Sequence, residues 1–440
     1  MEWLIKFNAF IWGLPMMILI VGTSLYFTWK LKFIQCYLLP SVALSVKQSH
    51  SAGVISSFGA LVVALAAMVG TGNIVGVAAA VSTGGPGALF WMILSAFFAM
   101  ATKYAESVLA VRYREKNEKG EYVGGPMYVL KNGLSMKKWA VTFALATAIM
   151  GFADALIQTN SLVDIYGSVL NVPAICTTAV LLVVTGAVIL GGITKIAKFC
   201  KWLVPFMAVL YILLCLVVIF LHADKILWAF GCIFKSAFTG TAVLGGAVGI
   251  TIKEAVRYGV ARGVLSNEAG SGSGAIAAAA AQTPNPVRQG LISATTVFWD
   301  TLVICLVSGV TVVIAGDWQS GTLFGAKLAQ NAFASLPFGS YFLLFSLTLF
   351  AFSTLVGWSY YTAKSVEFCI GVNVEKYVYF VWLSIMAVGG FLQPKLVWEL
   401  ADTAIALMCI PNLLALWLLR KEVFSLTAQY LKSEVSQAFR

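Results

Sequence analysis

Residues 68–80 read MVGTGNIVGVAAA, with Gly70, Gly72 and Gly76 set around Thr71 and Asn73. Three chemistries use glycines at about this spacing. A dinucleotide loop needs G-x-G-x-x-G between a strand and a helix. Here the third glycine falls one residue late and both flanks are long apolar runs, which argues against phosphate. A packing seam would use Gly72-x-x-x-Gly76 to bring two helix backbones together. A broken membrane helix would unwind residues 69–73 near the bilayer midplane, aiming freed N–H groups at an anion and freed carbonyls at a cation. Unwound backbone at that depth survives only where it lines a cavity, and Thr71 and Asn73 add oxygens of the hardness sodium prefers. We therefore read residues up to Asn73 as facing ligand, and Gly76 with the alanines after it as serving close packing.

Other polar residues stand inside apolar runs. Asp154 and Gln158 are four apart and share a helix face; an intramembrane carboxylate is a functional candidate by default. Asn267 and Glu268 precede a second glycine-rich stretch, and Glu268 reads as a gate, a coupling group or a cap. AFSTLVGWSYY puts the hydroxyls of Ser353 and Thr354 and the indole of Trp358 on one span. Lys103 and Glu106 are spaced as a structural pair. Lys253, Glu254, Arg257 and Arg262 form a mixed cluster that suits a solvated or salt-bridged entrance. His50 and His222 lie at loop edges with no metal-ligand partners in sequence, the eight cysteines are scattered with no C-x-x-C, and no Walker A motif is present.

The elements that must hold these residues are membrane helices. Of the 440 residues, 60% are hydrophobic and 11% charged, against about 25% charged in a soluble domain. Apolar segments fall at 9–29, 54–82, 87–111, 139–167, 173–192, 200–221, 252–282, 290–315, 336–362, 377–392 and 397–419, and the glycine-rich region 228–251 reads as re-entrant or surface structure. About eleven spans place the termini on opposite sides. One set of alternate loops holds 20 of the 29 lysines and arginines and the other holds 4, so the basic set is cytoplasmic and the N-terminus outside. The net charge of +11 is thus mainly a topology signal, not a nucleic-acid surface.

Laid together, GNIVGVAAAVSTGGP from Gly72 and GSGSGAIAAAAAQTPNP from Gly270 pair Gly76 with Gly274 and Pro86 with Pro284. Their segments run in opposite directions across the membrane. The expected architecture is an all-α polytopic protein with a five-plus-five inverted repeat and one extra N-terminal helix. Residues 1–53 form that helix and a cytoplasmic amphipathic linker, 54–227 the first repeat, 228–420 the second, and 421–440 a cytoplasmic tail. Paired interrupted helices in inverted halves point to a transporter's binding site. A passive channel is the rival from another class, and no catalytic cluster suggests an enzyme.

VGTGNIVGVA (69–78), GGPGALFWM (84–92), YGVARGVLSNEAGSGS (258–273) and AFSTLVGWSYY (351–361) together resemble the alanine/glycine:cation symporter family. The resemblance runs from about residue 54 to about 420. It implies a LeuT-like fold of eleven helices in a bacterial-type cell membrane and sodium-coupled uptake of small neutral amino acids: alanine or glycine, with D-alanine or serine as further candidates. A proton-coupled carrier is the alternative within the class. The implied partners are the amino acid, sodium as coupling ion and the bilayer, with no cofactor, nucleic acid or obligate protein partner. Carried over by residue, substrate would meet Thr71, Gly72, Asn73, Gln158, Gly270, Thr354 and Trp358. Backbone N–H groups at the breaks would hold its carboxylate, oxygens such as Gln158 its ammonium, and Trp358 would cap the side-chain pocket. Sodium would use carbonyls near Ala66 and Val69 and the hydroxyls of Ser353 and Thr354. The chain departs from the family's usual pattern at Ser271 and at Gly274-Ala275.

Overall fold

In a computed structural model, the described residues are 2–47, 51–239, 251–391 and 394–438. The helix α1 (Leu14–Lys30) precedes the site. The first interrupted segment is a two-residue strand β1 (Ile55–Ser56), α2 (Ser57–Met68), a 3₁₀ turn at Thr71–Asn73 and α3 (Val75–Gly84), bent by 65° at the break. Then come α4 (Gly87–Arg112), α5 (Lys137–Leu170), α6 (Ala174–Ile189), α7 (Gly192–Leu221) and α8 (Ile226–Thr239). The second interrupted segment is α9 (Ile252–Asn267), α10 (Gly274–Ala279) and β2 (Ala281–Gln282). It is followed by α11 (Pro286–Val297), which runs through a π-helical stretch at Phe298–Cys305 into α12 (Leu306–Ala315), and then by α13 (Gly339–Ile370), α14 (Glu375–Gly389), α15 (Pro394–Leu418) and α16 (Arg420–Ala438).

Each of the eleven predicted apolar segments contains helix. Six helices are long and apolar enough to cross a membrane alone, and bent pairs bring the number to as many as eight among the described residues. The region 228–251 begins in α8, and its residues 240–250 lie outside the described residues, as does His50.

The two interrupted segments pack against α4, α7, α11, α12 and α13. Small residues set the spacing. A Cβ on Gly357 of α13 would lie 2.5 Å from the Ala67 amide nitrogen, so α13 and α2 touch backbone to backbone. A Cβ on Gly151 of α5 would collide with Thr362. These are the contacts glycine makes possible in membrane bundles.

The loops of the basic set gather at one end. There β1 and β2 pair in parallel, Ile55 with Ala281 and Ser56 with Gln282. The Arg114 guanidinium donates to the carbonyls of Ala52 (3.0 Å), Ala279 (3.0 Å) and Ala281 (2.8 Å). Arg288 donates to Leu44 and Lys47 carbonyls, and buried Lys364 meets Glu121, Glu367 and Glu375. The start of one interrupted segment and the finish of the other are thus tied together at the basic end.

Candidate functional site

The first break forms without left-handed backbone. Gly70 is extended at φ −129°, ψ −161°. Its amide, which a continuing helix would aim at the Ala66 carbonyl, goes instead to Asn73 Oδ1 at 2.9 Å. Carbonyls at the end of α2 are thereby released, and the amides of Thr71 and Gly72 have no acceptor among the described residues. A Cβ on Gly70 would lie 2.5 Å from Thr354 Oγ1, so the glycine also admits α13.

The second break is built from left-handed residues: Glu268 (φ 54°), Gly270 (φ 98°) and Gly272 (φ 76°). Side chains of α4 hold it. Lys103 Nζ donates to the carbonyls of Asn267 (3.2 Å) and Glu268 (3.4 Å). Glu106 Oε1 accepts from the Gly270 amide (2.7 Å) and from Asn412 (2.8 Å), and Asn412 also donates to the Gly270 carbonyl (2.8 Å). The Glu268 carboxylate accepts from Ser273 at the start of α10.

Between the breaks lies a cavity of about 60 Å³, lined among others by Gly70, Thr71, Gly72, Gln158, Thr354 and Trp358. At about 10–15 Å³ for each water-sized occupant, it suits a solute of only a few heavy atoms. It adjoins a vestibule of about 240 Å³ through Leu265 and Asp402, where Arg257 and Arg262 also stand. Two members of the mixed cluster, Arg257 and Arg262, thus line the vestibule, while Glu254 caps α9 with Thr251.

Behind the cavity wall, Ser353 Oγ lies 3.1 Å and Thr354 Oγ1 3.3 Å from the Val69 carbonyl oxygen. The same hydroxyls lie 2.8 and 3.0 Å from the Phe350 carbonyl. A hydroxyl has one proton. Each hydroxyl can donate to the Phe350 or to the Val69 carbonyl, which gathers two hydroxyls and two carbonyls in one place. An all-oxygen cluster, with Ala66 buried one turn earlier, is the donor set a hard cation takes.

The residues expected at the site divide into two groups. Thr71, Gly72, Gln158, Thr354 and Trp358 line the cavity. Asn73 and Gly270 do not. Asn73 is fully buried, and its Nδ2 donates to Asp300 Oδ1 (2.7 Å) and Ser266 (3.1 Å) while its oxygen holds Gly70. Gly270 has its amide committed to Glu106. Two packing expectations are corrected. Gly76 has open space where a Cβ would stand, so the close contact lies at its repeat partner, Gly274, against Lys103. Lys103 and Glu106 each turn to the second break and make no ion pair with one another. Asp300 was missed: it is buried within the π-helical stretch and accepts from Asn73, Ser266 and Thr301. The rule that singled out Asp154, a carboxylate inside an apolar span, would have found it.

The starts of the half-helices agree with the glycine alignment. α3 starts at Val75 and α10 at Gly274, within one residue of the glycine alignment. The model of the sodium:alanine symporter family matches residues 1–439. The chain belongs to this family. The symporter is 45% identical over 436 residues to "Sodium/alanine symporter AgcS" of Methanococcus maripaludis, covering 96% of this chain and 95% of that one. It is 44% identical to an uncharacterised transporter of Haemophilus influenzae (96% and 94% covered) and 35% identical to "Probable sodium/glutamine symporter GlnT" of Bacillus subtilis (97% and 90% covered). Among solved structures, MhsT in complex with L-phenylalanine superposes with a TM-score of 0.60 at 14% identity, covering 85% of this chain and 89% of that one. A manganese transporter of Eremococcus coleocola gives 0.54 at 11% identity, covering 80% and 75%. The symporter therefore has the LeuT fold. It is a multi-pass membrane protein and a sodium-coupled amino-acid symporter, not an enzyme.

Proposed function

We propose that the symporter carries one small neutral amino acid, alanine or glycine first among them, into the cell with sodium by alternating access. The observation that carries this reading is the small cavity at the first break, backed by the cluster of Ser353, Thr354 and Val69 oxygens behind it. The substrate carboxylate meets the Thr71 and Gly72 amides at the start of α3, where the half-helix dipole favours an anion. Trp358 limits side-chain size. Sodium sits among the Ala66 and Val69 carbonyls and the Ser353 and Thr354 hydroxyls. Because one of its partners, Val69, precedes Gly70 directly, sodium occupancy orders the substrate's binding backbone.

The five-plus-five division, with eleven crossings, an outside N-terminus and a cytoplasmic C-terminus, completes the reading. The clustering of the basic loops at one end supports that orientation. The cavity adjoins the vestibule at the opposite end, and the paired strands with Arg114 seal the cytoplasmic path. Movement inward then requires β1 and β2 to part.

The test is labelled-alanine uptake into proteoliposomes with an imposed sodium gradient, competed by glycine, L-serine, D-alanine and glutamine. Saturable, gradient-driven uptake competed best by alanine and glycine is expected. Preference for glutamine would overturn the small-substrate assignment. Uptake driven by a proton gradient alone would overturn sodium coupling, and non-saturable flux would indicate a channel.

A further inference from the structure

We propose that Asp154 is the acceptor for the substrate's α-ammonium group, and that it makes the site selective for α-amino acids over α-hydroxy acids and plain carboxylic acids of equal size. The inference rests on the reading that a small amino acid occupies the cavity at the first break.

Asp154 and Gln158 lie on one face of α5, and both line the cavity. Gln158 Nε2 donates to Asp154 Oδ1 at 3.0 Å, and Gln158 Oε1 accepts from Thr71 Oγ1 at 3.1 Å. This relay fixes the carboxylate against the first break. The other oxygen, Oδ2, has no hydrogen-bond partner, although Asp154 is only 6% exposed. A buried polar atom without a partner is costly, and the cost is greater for a carboxylate. An ammonium group supplies three donors and the opposite charge.

The rest of the lining leads to the same group. The cavity wall carries three carboxylates, Asp154, Glu268 and Asp402, and no lysine or arginine among the described residues. Glu268 is engaged by Ser273, and Asp402 stands where the cavity meets the vestibule that holds Arg257 and Arg262. Of the three, Asp154 alone combines an unpartnered oxygen with direct linkage to the carboxylate subsite through Gln158 and Thr71. That short linkage suits a molecule whose ammonium and carboxylate share one carbon. A lactate or propionate anion would bring negative charge to this wall and no cation for Oδ2.

Purified protein in sodium buffer is assayed for binding of labelled L-alanine, competed by unlabelled L-alanine, L-lactate and propionate. Lactate and propionate are expected to compete about a hundredfold more weakly than alanine, the scale of losing one partner of a buried charged pair. If the wild type binds no alanine in sodium, the functional reading itself falls. If alanine binds and lactate competes within a few-fold, the role of Asp154 is overturned while that reading stands. Asp154→Asn is expected to weaken alanine by about a hundredfold and to shrink the alanine-to-lactate ratio toward one, with Asp154→Glu restoring part of it. Labelled-sodium binding retained in Asp154→Asn reports an intact fold. Wild-type alanine affinity in that variant overturns the proposal. Should the variant lose sodium binding as well, the wild-type competition series decides.

Discussion

The two helix breaks occupy corresponding places in the fold and are made by opposite means. The first, between α2 and α3, keeps every residue at negative φ and is held by its own Asn73, whose oxygen takes the Gly70 amide. Its backbone is left with donors and acceptors to offer. The second, between α9 and α10, places three residues in left-handed conformations and commits much of its backbone to side chains from elsewhere: Lys103 and Glu106 of α4 and Asn412 of α15. Non-glycine residues adopt such conformations at a cost of about 1–3 kcal/mol, and at Glu268 that cost is offset by Lys103 and Ser271 bonding its carbonyl. One break exposes backbone for ligand; the other is closed on itself and contributes side chains.

On this difference, the first break should answer to ligand and the second to stability. The largest effect is expected from Gly70→Val. Its Cβ alone would press on Thr354 Oγ1 at 2.5 Å, so sodium-driven uptake should vanish while size-exclusion profiles still show an inserted, monodisperse protein. Asn73→Ala comes next. It frees the Gly70 amide and strips a partner from buried Asp300, and uptake should be abolished in a protein that still purifies intact. Full uptake would remove Asn73 from the working of the site.

Ser353→Ala is expected to raise the sodium concentration for half-maximal uptake by about tenfold, the scale of roughly 1.4 kcal/mol for one hydrogen-bonding oxygen. At saturating sodium the maximal rate should remain near wild type; an unchanged sodium dependence would displace the ion from this position. Lys103→Met tests the other side of the comparison. It should lower the melting temperature by about 1 °C for each kcal/mol lost and leave the sodium dependence of the residual uptake unchanged. A shifted sodium dependence would erase the distinction between the breaks. The smallest effect is expected from Arg114→Ala, at the paired strands. Loss of its three carbonyl contacts, each worth about 1 kcal/mol, should favour the inward-facing state. Cysteine-labelling accessibility from the cytoplasmic side would rise several-fold, with alanine affinity little changed.

Much of this is legible in the sequence. MVGTGNIVGVA in an apolar flank, with its inverted partner, implies a broken helix pair lining a cavity, because unwound backbone is tolerated at that depth only there. The Ser353 and Thr354 hydroxyls read as an oxygen site once their span is paired with the first break, and both lie beside the Val69 carbonyl. What stayed hidden were the partners of each polar group. Asn73 reads from sequence as a ligand, but its side chain is spent on Gly70 and Asp300. Gly76 reads as a seam and has open space beside it. Lys103 and Glu106 read as a pair and serve separate atoms of the second break.

By itself the sequence determined the solvent and the places where helix must fail. Those depend on hydropathy, charge and backbone cost, which are summed residue by residue. Only the tertiary structure decided which polar atoms are consumed inside the protein and which, such as Asp154 Oδ2 and the Thr71 and Gly72 amides, remain for a ligand. A hydrogen bond is settled by a distance and an angle between groups that can be more than 300 residues apart, as for Glu106 with Asn412, and no local pattern contains those.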